Sequence, residues 1–405
     1  MATYNYVVLN SRGKEQKGSL SADTREQAMT ELKSSGSTVL SITEAGGLNK
    51  DINIGFLEKK PKPRDMAVFC RQFVSIIDAG VPVISAFDML GEQTENKKLS
   101  TAIKECKKTI EHGETLAMAM REFPDVFPPM FVTMVEAGEA SGSLDVSFTR
   151  MAEQFEKEAK LKATVKKATT YPVIIAIIAV AAVALLLTFV VPAFEDMLKD
   201  LDTEMPSITV AVIAASNFLA SRWYVVIVVL VLIVVGIKLF KKSDMGLRFF
   251  GRLAIKTPAV KNLTVKTAAA RMARTLSTLL GSGLPLMEAL TITSGTMTNI
   301  WFKEEIVKAR DQVMVGAPLA KQFSESGMFP PLVHQMIHIG EDTGDIDKML
   351  TKLADYYEDE VEQATQQLMA ILEPAIILFL ALVIGSIVLA VIMPMASMYS
   401  GLNNL

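Results

Sequence analysis

Long, almost wholly apolar runs interrupt an otherwise mixed pattern of hydrophobic and polar positions. Pro172 to Val191 and Pro374 to Met393 each hold twenty residues without a charge. At 1.5 Å per helical residue, each covers about 30 Å, the thickness of a bilayer's hydrocarbon layer. A further run, Trp223 to Phe240, opens on an aromatic pair suited to the interface and carries Lys238 near its end, where a long stem can snorkel. These runs predict transmembrane helices at 172–191, 223–240 and 374–394. Ile208 to Leu219 is apolar but only twelve residues long. It predicts the outer part of the second helix or an interfacial segment.

Lysine and arginine set the expected orientation. Lys157, Lys160, Lys162, Lys166 and Lys167 precede the first span, and Lys238, Lys241, Lys242, Arg248, Arg252 and Lys256 close and follow the second. The stretch between holds only Lys199 and Arg222. Both large polar segments are therefore expected in the cytoplasm. The 192–222 connection is expected outside, as is a short tail, 395–405. The flank before the third span is acidic, so its direction follows from parity alone. Met1 to Leu20 has no apolar run, which makes the first span an expected uncleaved anchor.

The first 45 residues read as a small α/β module. Strand-like segments at Tyr4–Leu9, Lys17–Ala22 and Thr38–Thr43 surround a helix whose start at Asp23, with Glu26 three positions on, is close to a capping box. A Gly- and Pro-bearing linker, 46–63, follows.

The polar segments beyond it repeat. At an offset of 203, Arg71, Gly80, Pro82, Ala86, Gly113 and Leu116 match Arg274, Gly283, Pro285, Ala289, Gly316 and Leu319. At 202, Phe127, Pro128, Pro129, Gly138, Glu139, Gly142 and Asp145 match Phe329, Pro330, Pro331, Gly340, Glu341, Gly344 and Asp347. Pro172 and Pro192 match Pro374 and Pro394, so the repeat runs into the membrane. The unit is one helical bundle of about six helices plus one span, used twice. Bundles are expected at 64–171 and 241–373, giving a mainly α integral membrane protein. Gly80 is placed to end a helix over 65–79 and Pro82 to start the next. Ser143 and Asp345 read as N-caps of a last helix that runs unbroken into its span, with Pro172 able to kink it. Arg71/Arg274 and Glu139/Glu341 are expected either to pair within each bundle or to face a partner.

Composition narrows the function classes. Half of the 405 residues are hydrophobic, 21% are charged, and the net charge is −3. That excludes wholesale disorder and argues against a nucleic-acid partner. Two cysteines, Cys70 and Cys106, cannot form a disulfide framework and are expected as reduced thiols. No G-x-x-x-x-G-K-[ST] loop or H-E-x-x-H motif occurs. His334 and His338 share a helical face with Glu341, but Gln335 replaces a metalloprotease base and the repeat has Val132 and Glu136 at the histidine positions. A hard-cation site near Glu139 and Asp145, or near Glu341, Asp345 and Asp347, competes with simple capping. No catalytic, metal or cofactor site is expected, hence no enzyme. A membrane transporter is the rival from another class, but uncharged span cores offer no cargo site. Gly385-Ser386 is a small pair suited to close helix contact. Glu153, Glu156 and Glu158 with the Lys157–Lys167 cluster leave one pre-span helix net positive. Its counterpart carries Asp355, Glu358, Asp359, Glu360 and Glu362. These faces are expected to meet, within one chain or between subunits.

At these residues the sequence resembles the type II secretion protein F family. The resemblance rests on Arg71-Gln-Phe-Val…Ala79-Gly80-Val-Pro82 with Arg274-Thr-Leu-Ser…Ser282-Gly283-Leu-Pro285. It rests also on Phe127-Pro-Pro…Glu136-Ala-Gly-Glu139-Ala-Ser-Gly142-Ser-Leu-Asp145 with Phe329-Pro-Pro…Ile339-Gly-Glu341-Asp-Thr-Gly344, and on Ala22-Asp-Thr-Arg-Glu-Gln-Ala28 near the start. The resemblance implies an oligomeric inner-membrane platform of a type IV pilus or type II secretion machine. It implies a cytoplasmic hexameric ATPase, pilin or pseudopilin subunits and other inner-membrane components as partners. Arg71, Gly80, Pro82, Gly138, Glu139, Gly142 and Asp145, with Arg274, Gly283, Pro285, Gly340, Glu341, Gly344 and Asp347, are the expected structural or partner-contact residues.

Overall fold

A computed structural model describes residues 2–9, 15–22, 27, 29, 38–44, 59–194 and 206–402. They belong to two units, Met1–Lys59 and Lys60–Leu405.

In the first unit, β1 (Ala2–Leu9), β2 (Glu15–Ala22) and β3 (Thr38–Glu44) form a three-stranded sheet in the order β2-β1-β3. Both pairings are antiparallel, with Tyr4 opposite Leu20 and Tyr6 opposite Ile42, and the β1–β3 register shifts between Val7 and Val8. Most residues expected to form the intervening helix, and most of the 46–63 linker, lie outside the described residues.

The second unit is helical. Its first bundle comprises α1 (Pro63–Asp78), α2 (Val83–Gln93), α3 (Lys97–Glu111), α4 (Leu116–Arg121), α5 (Pro129–Ser141) and α6 (Leu144–Leu185). Prolines at the starts of α1 and α5 suit positions whose N–H has no helical partner. Asn96 caps α3 by accepting from the Leu99 amide at 3.0 Å. The core is aromatic: Phe69, Phe73, Phe87, Phe131 and Phe148 are buried, and Phe73 stacks on Phe148 with centroids 3.8 Å apart. Each such ring contributes about 1.5–3 kcal/mol by burial.

After α7 (Ser207–Phe240) and α8 (Asp244–Lys256), the second bundle repeats the plan with α9 (Pro258–Gly281), α10 (Leu286–Thr296), α11 (Ile300–Met314), α12 (Leu319–Ser326), α13 (Pro331–Thr343) and α14 (Ile346–Leu402). Its core is aliphatic where the first is aromatic. Met272, Leu276, Leu290, Val333 and Leu350 are buried at the positions of Phe69, Phe73, Phe87, Phe131 and Phe148. The turns persist because they rest on backbone geometry. Gly80 and Gly283 have φ of 82° and 83°, a left-handed region costly for residues with a Cβ.

Three helices are long and apolar enough to cross a membrane: Leu144–Phe194, Ser207–Phe240 and Ile346–Met393. The last helix of each bundle runs into its span without interruption, and Pro172 sits inside α6. At its C-terminal end α6 passes into a π-helical turn, Leu186–Val190. Such a turn shifts the hydrogen-bond ladder and alters the partner of a carbonyl. The Ser216 hydroxyl of α7 donates to the Leu187 carbonyl there, and Thr209 Oγ1 donates to the Ala390 carbonyl of α14 at 2.7 Å.

The helix α7 begins at Ser207, so the 208–219 run is part of the second long helix, one of its two expected readings, with non-helical dihedrals at Arg222. Thr209 and Ser216 tie this part to α14 and to the π-helical turn. Two expectations change. Ser143 does not cap α6 with its side chain; its hydroxyl lies 2.6 Å from that of Ser141 instead. Gly385 does not approach another helix closely, since a Cβ there would meet nothing within 4 Å.

Candidate coupling site between the repeats

Arg71 on α1 and Arg274 on α9 occupy equivalent places and hold equivalent carboxylates. Arg71 donates through Nε and Nη2 to both oxygens of Glu156, at 2.8 and 2.9 Å. Arg274 donates through Nε to Glu358 at 2.7 Å and through Nη2 to Asp355. Glu156 and Glu358 lie 202 positions apart, the offset of the repeat at that point. The guanidinium fork takes both oxygens of one carboxylate at Arg71 and bridges two carboxylates at Arg274.

The two sites differ in what covers them. Arg71 and Glu156 are 45% and 48% exposed, whereas Arg274 and Glu358 are 14% and 16% exposed. The cover is α6 of the first bundle. Lys157 reaches across to Glu358 at 3.0 Å and to Asp355 at 3.2 Å. One and two turns back, Gln154 accepts from Thr278 at 3.1 Å and Arg150 donates to Ser282 at 3.0 Å. Positions 150, 154 and 157 share one helical face, as do 274, 278 and 282. The pairs 150–282 and 154–278 run in opposite chain directions, so α6 lies antiparallel to α9.

Electrostatics follow from the cover. Burial opposes the charge on Arg274, but its hydrogen bonds to Glu358 and Asp355 outweigh it and raise its pKa. Burial likewise opposes the charge on Asp355, and Arg274 and Lys157 together hold its carboxyl below the ordinary value. At the open site, the Arg71 hydrogen bond leads and holds Glu156 below its ordinary value. Two cations and two anions make the cluster neutral overall, with Arg274 and Glu358 largely covered and Lys157 and Asp355 half-exposed at its edge, which limits the cost of removing the inner pair from water.

Glu139 and Glu341 do not pair with these arginines. The Glu139 carboxylate accepts the amides of Leu116 and Ala117 at 2.6 and 2.9 Å, at the start of α4. Glu341 does the same for Leu319 and Ala320 at 2.6 and 3.1 Å, at the start of α12. Each carboxylate satisfies two orphan amides and faces the positive end of the helix dipole. Asp145 and Asp347 lie in the first turns of α6 and α14, where negative charge is also favourable. Gly138 and Gly340 allow close approach: a Cβ at Gly138 would run into Ser147 Oγ, and one at Gly340 would lie 2.7 Å from Ile346 Cα. Gly142 and Gly344 end α5 and α13 with φ of 70° and 78°, and Pro82 and Pro285 precede α2 and α10.

The proposed metal readings lose their ligands to these roles. Glu341 is committed to amides, and His338 faces Asp342 at 3.3 Å on its own helix. Among the described residues no three His, Cys, Asp or Glu side chains gather as a metal site. Cys70 and Cys106 are buried, and burial pushes the Cys106 thiol up to about 12 and the Cys70 thiol well above its ordinary value.

The oppositely charged helices do meet, within one chain and through Lys157. Glu360 is taken instead by Lys266 of α9, and Lys162 by Glu158 on its own helix. The sequence reading missed Glu156 and Glu358 as the arginines' partners. Their 202-residue spacing, with Glu153 matching Asp355, was the available signal.

Family models place these repeats. The model described as type II secretion system (T2SS), protein F matches residues 69–192 and again 272–394, and the T2SS protein F N-terminal domain matches 1–43. The two long matches start 203 residues apart and end 202 apart, and each covers a bundle together with its span. The chain belongs to the type II secretion system protein F family. Within this family it is 36% identical over 397 residues to the type IV pilus assembly protein PilC of Thermus thermophilus, covering 98% of each chain. It is 35% identical to the PilC of Myxococcus xanthus, covering 98% of this chain and 95% of the relative. It is 30% identical to the type II secretion system protein F of Vibrio cholerae, covering 100% and 99%. In this protein F family chain, residues 193–271, with α7 and α8, fall between the two matched repeats.

Proposed function

We propose that the chain is the inner-membrane platform of a type IV pilus assembly machine. In this reading both bundles face the cytoplasm, the protein forms a homo-oligomer, and it couples a hexameric ATPase to pilin subunits in the membrane while hydrolysing nothing itself. The observation that carries it is the neutral cluster of Lys157, Arg274, Asp355 and Glu358. It pins the helix entering one span to the helices serving the other, so displacement of either bundle is shared by both spans. A mechanical link needs such a joint and no reaction centre. Relatives named for pilus assembly match at 36% and 35%, and the Vibrio cholerae relative named for secretion at 30%, which supports the pilus assignment.

The full-length match to the Vibrio cholerae protein favours a platform of a type II secretion system as the second reading. Pull-down of the tagged chain from detergent-solubilised native membranes, followed by protein identification, separates them. Pilin and an assembly ATPase are the expected captures. Pseudopilins with secretion components move the assignment to secretion. Capture of none of these, or ATP turnover by the purified chain alone, overturns the platform reading.

A further inference from the structure

Helix α8 begins four residues after Phe240, the last residue of α7, itself a helix long and apolar enough to cross a membrane. Its inner side is fixed. Gly246 is buried so close to the Phe240 carbonyl that a Cβ would overlap it. The Gly251 carbonyl accepts from Asn299 Nδ2 at 3.1 Å, and the Arg248 carbonyl accepts from Trp301 Nε1 at 3.2 Å. These contacts set the roll of the helix about its axis. They leave Met245, Phe249 and Leu253, every fourth residue, pointing outward at 72%, 58% and 49% exposure. Lys241, Lys242, Arg252 and Lys256 frame this edge with one acid of the same segment, Asp244, while Arg248 is held by Glu304 of α11.

We propose that α8 is an interfacial helix that binds anionic phospholipid. Met245, Phe249 and Leu253 enter the acyl boundary, and Arg252, Lys256 and the Lys241-Lys242 turn engage headgroup phosphates. Three observations select a lipid surface over a protein partner. The apolar edge continues a helix already long and apolar enough to cross the membrane. Its cationic frame complements an anionic leaflet. An apolar edge with a basic rim is the pattern of helices that lie in the interface plane. Through Asn299 and Trp301, at the start of α11, the lipid contact then sets the height of the second bundle above the membrane.

The test uses the full chain reconstituted in phosphatidylcholine vesicles with and without phosphatidylglycerol. Phe249→Cys carries an environment-sensitive fluorophore, and the buried native thiols leave it the reactive site. Emission should be blue-shifted and quenched by lipid-borne spin labels, more strongly with phosphatidylglycerol. Removing Arg252 and Lys256 charges as Gln should lower the docked fraction about fivefold for each charge. Met245→Cys repeats the measurement in case one substitution perturbs the helix, and Asp311→Cys, exposed on α11, should stay water-like. Water-like emission at 249 and 245 in both vesicles overturns the proposal. So does shielding that appears only when a second protein is added. Neither readout involves an ATPase or pilin, so the platform reading stands or falls separately.

Discussion

Lys157 of the first bundle donates to Glu358 of the second at 3.0 Å, on a carboxylate that Arg274 already holds at 2.7 Å. The repeat supplies the arginine–glutamate pair twice, but only the second copy is covered by a helix from the other bundle. One motif thus holds together a bundle in the first repeat and joins two bundles in the second.

Lys157→Met keeps the stem and removes the charge. Lys157 is 43% exposed, so solvent screening limits the loss to about 1 kcal/mol. Lys157→Glu should cost more, by placing a third carboxylate beside Asp355 and Glu358. Thermal unfolding in detergent, with limited proteolysis of the α6–α9 contact, checks this. Equal midpoints for all three proteins would remove the joint.

Glu139→Gln and Glu341→Gln should each destabilise by about 1–3 kcal/mol, and by similar amounts. An amide offers one acceptor oxygen where two backbone N–H groups need one each. Hydrogen exchange should show loss of protection first at Leu116 and Ala117 for one variant, and at Leu319 and Ala320 for the other. Retained protection at those amides contradicts the capping role.

Acid should loosen both arginine sites. Glu156 and Asp355 titrate below their ordinary values of 4.5 and 3.8 in the folded protein, so the unfolded chain binds more protons in this range. Their contribution is complete above about pH 5 and is lost as pH falls through the depressed folded values. Asp355→Asn should flatten the fall of the unfolding midpoint between about pH 5 and about pH 3. An unchanged slope argues against this coupling.

Gly340→Ala should destabilise by about 1–3 kcal/mol, because the new methyl meets Ile346 backbone. Gly138→Ala should cost less, since its shortest contact, the Ser147 hydroxyl, can rotate away and leaves Ser147 Cβ at 3.0 Å and the Ser143 carbonyl at 3.2 Å. Gly385→Ala should be close to neutral, with open space at its Cβ. Denaturation midpoints for the three variants give the order, and a large loss at 385 would reveal a partner helix there.

Much of this organisation is legible in the sequence because it depends on length and backbone geometry. Twenty uncharged residues measure a bilayer, and Gly80, Gly142, Gly283 and Gly344 mark left-handed turns at the ends of four helices. Side-chain pairing across the bundle is less legible. Arg71 meets Glu156 85 positions away, and no local period announces it. The repeat itself carried that information, since the offset applies to Glu156 and Glu358 as it does to the arginines. Glu139 shows the opposite difficulty: its charge suggests a partner surface, while its oxygens close a helix end. At Ser143 the residue type suits a cap, but its dihedrals of −118° and 53° and its contact with Ser141 direct the hydroxyl elsewhere.

The unbroken passage from Leu144 to Leu185 gives the molecule a shaft. A shaft carries torque as well as thrust. Twisting the first bundle about the α6 axis turns the membrane face of that span through a comparable angle, presenting a new stripe of side chains to whatever lies beside it in the bilayer. Because Lys157 clasps α14's root, the third span must follow or the clasp must open.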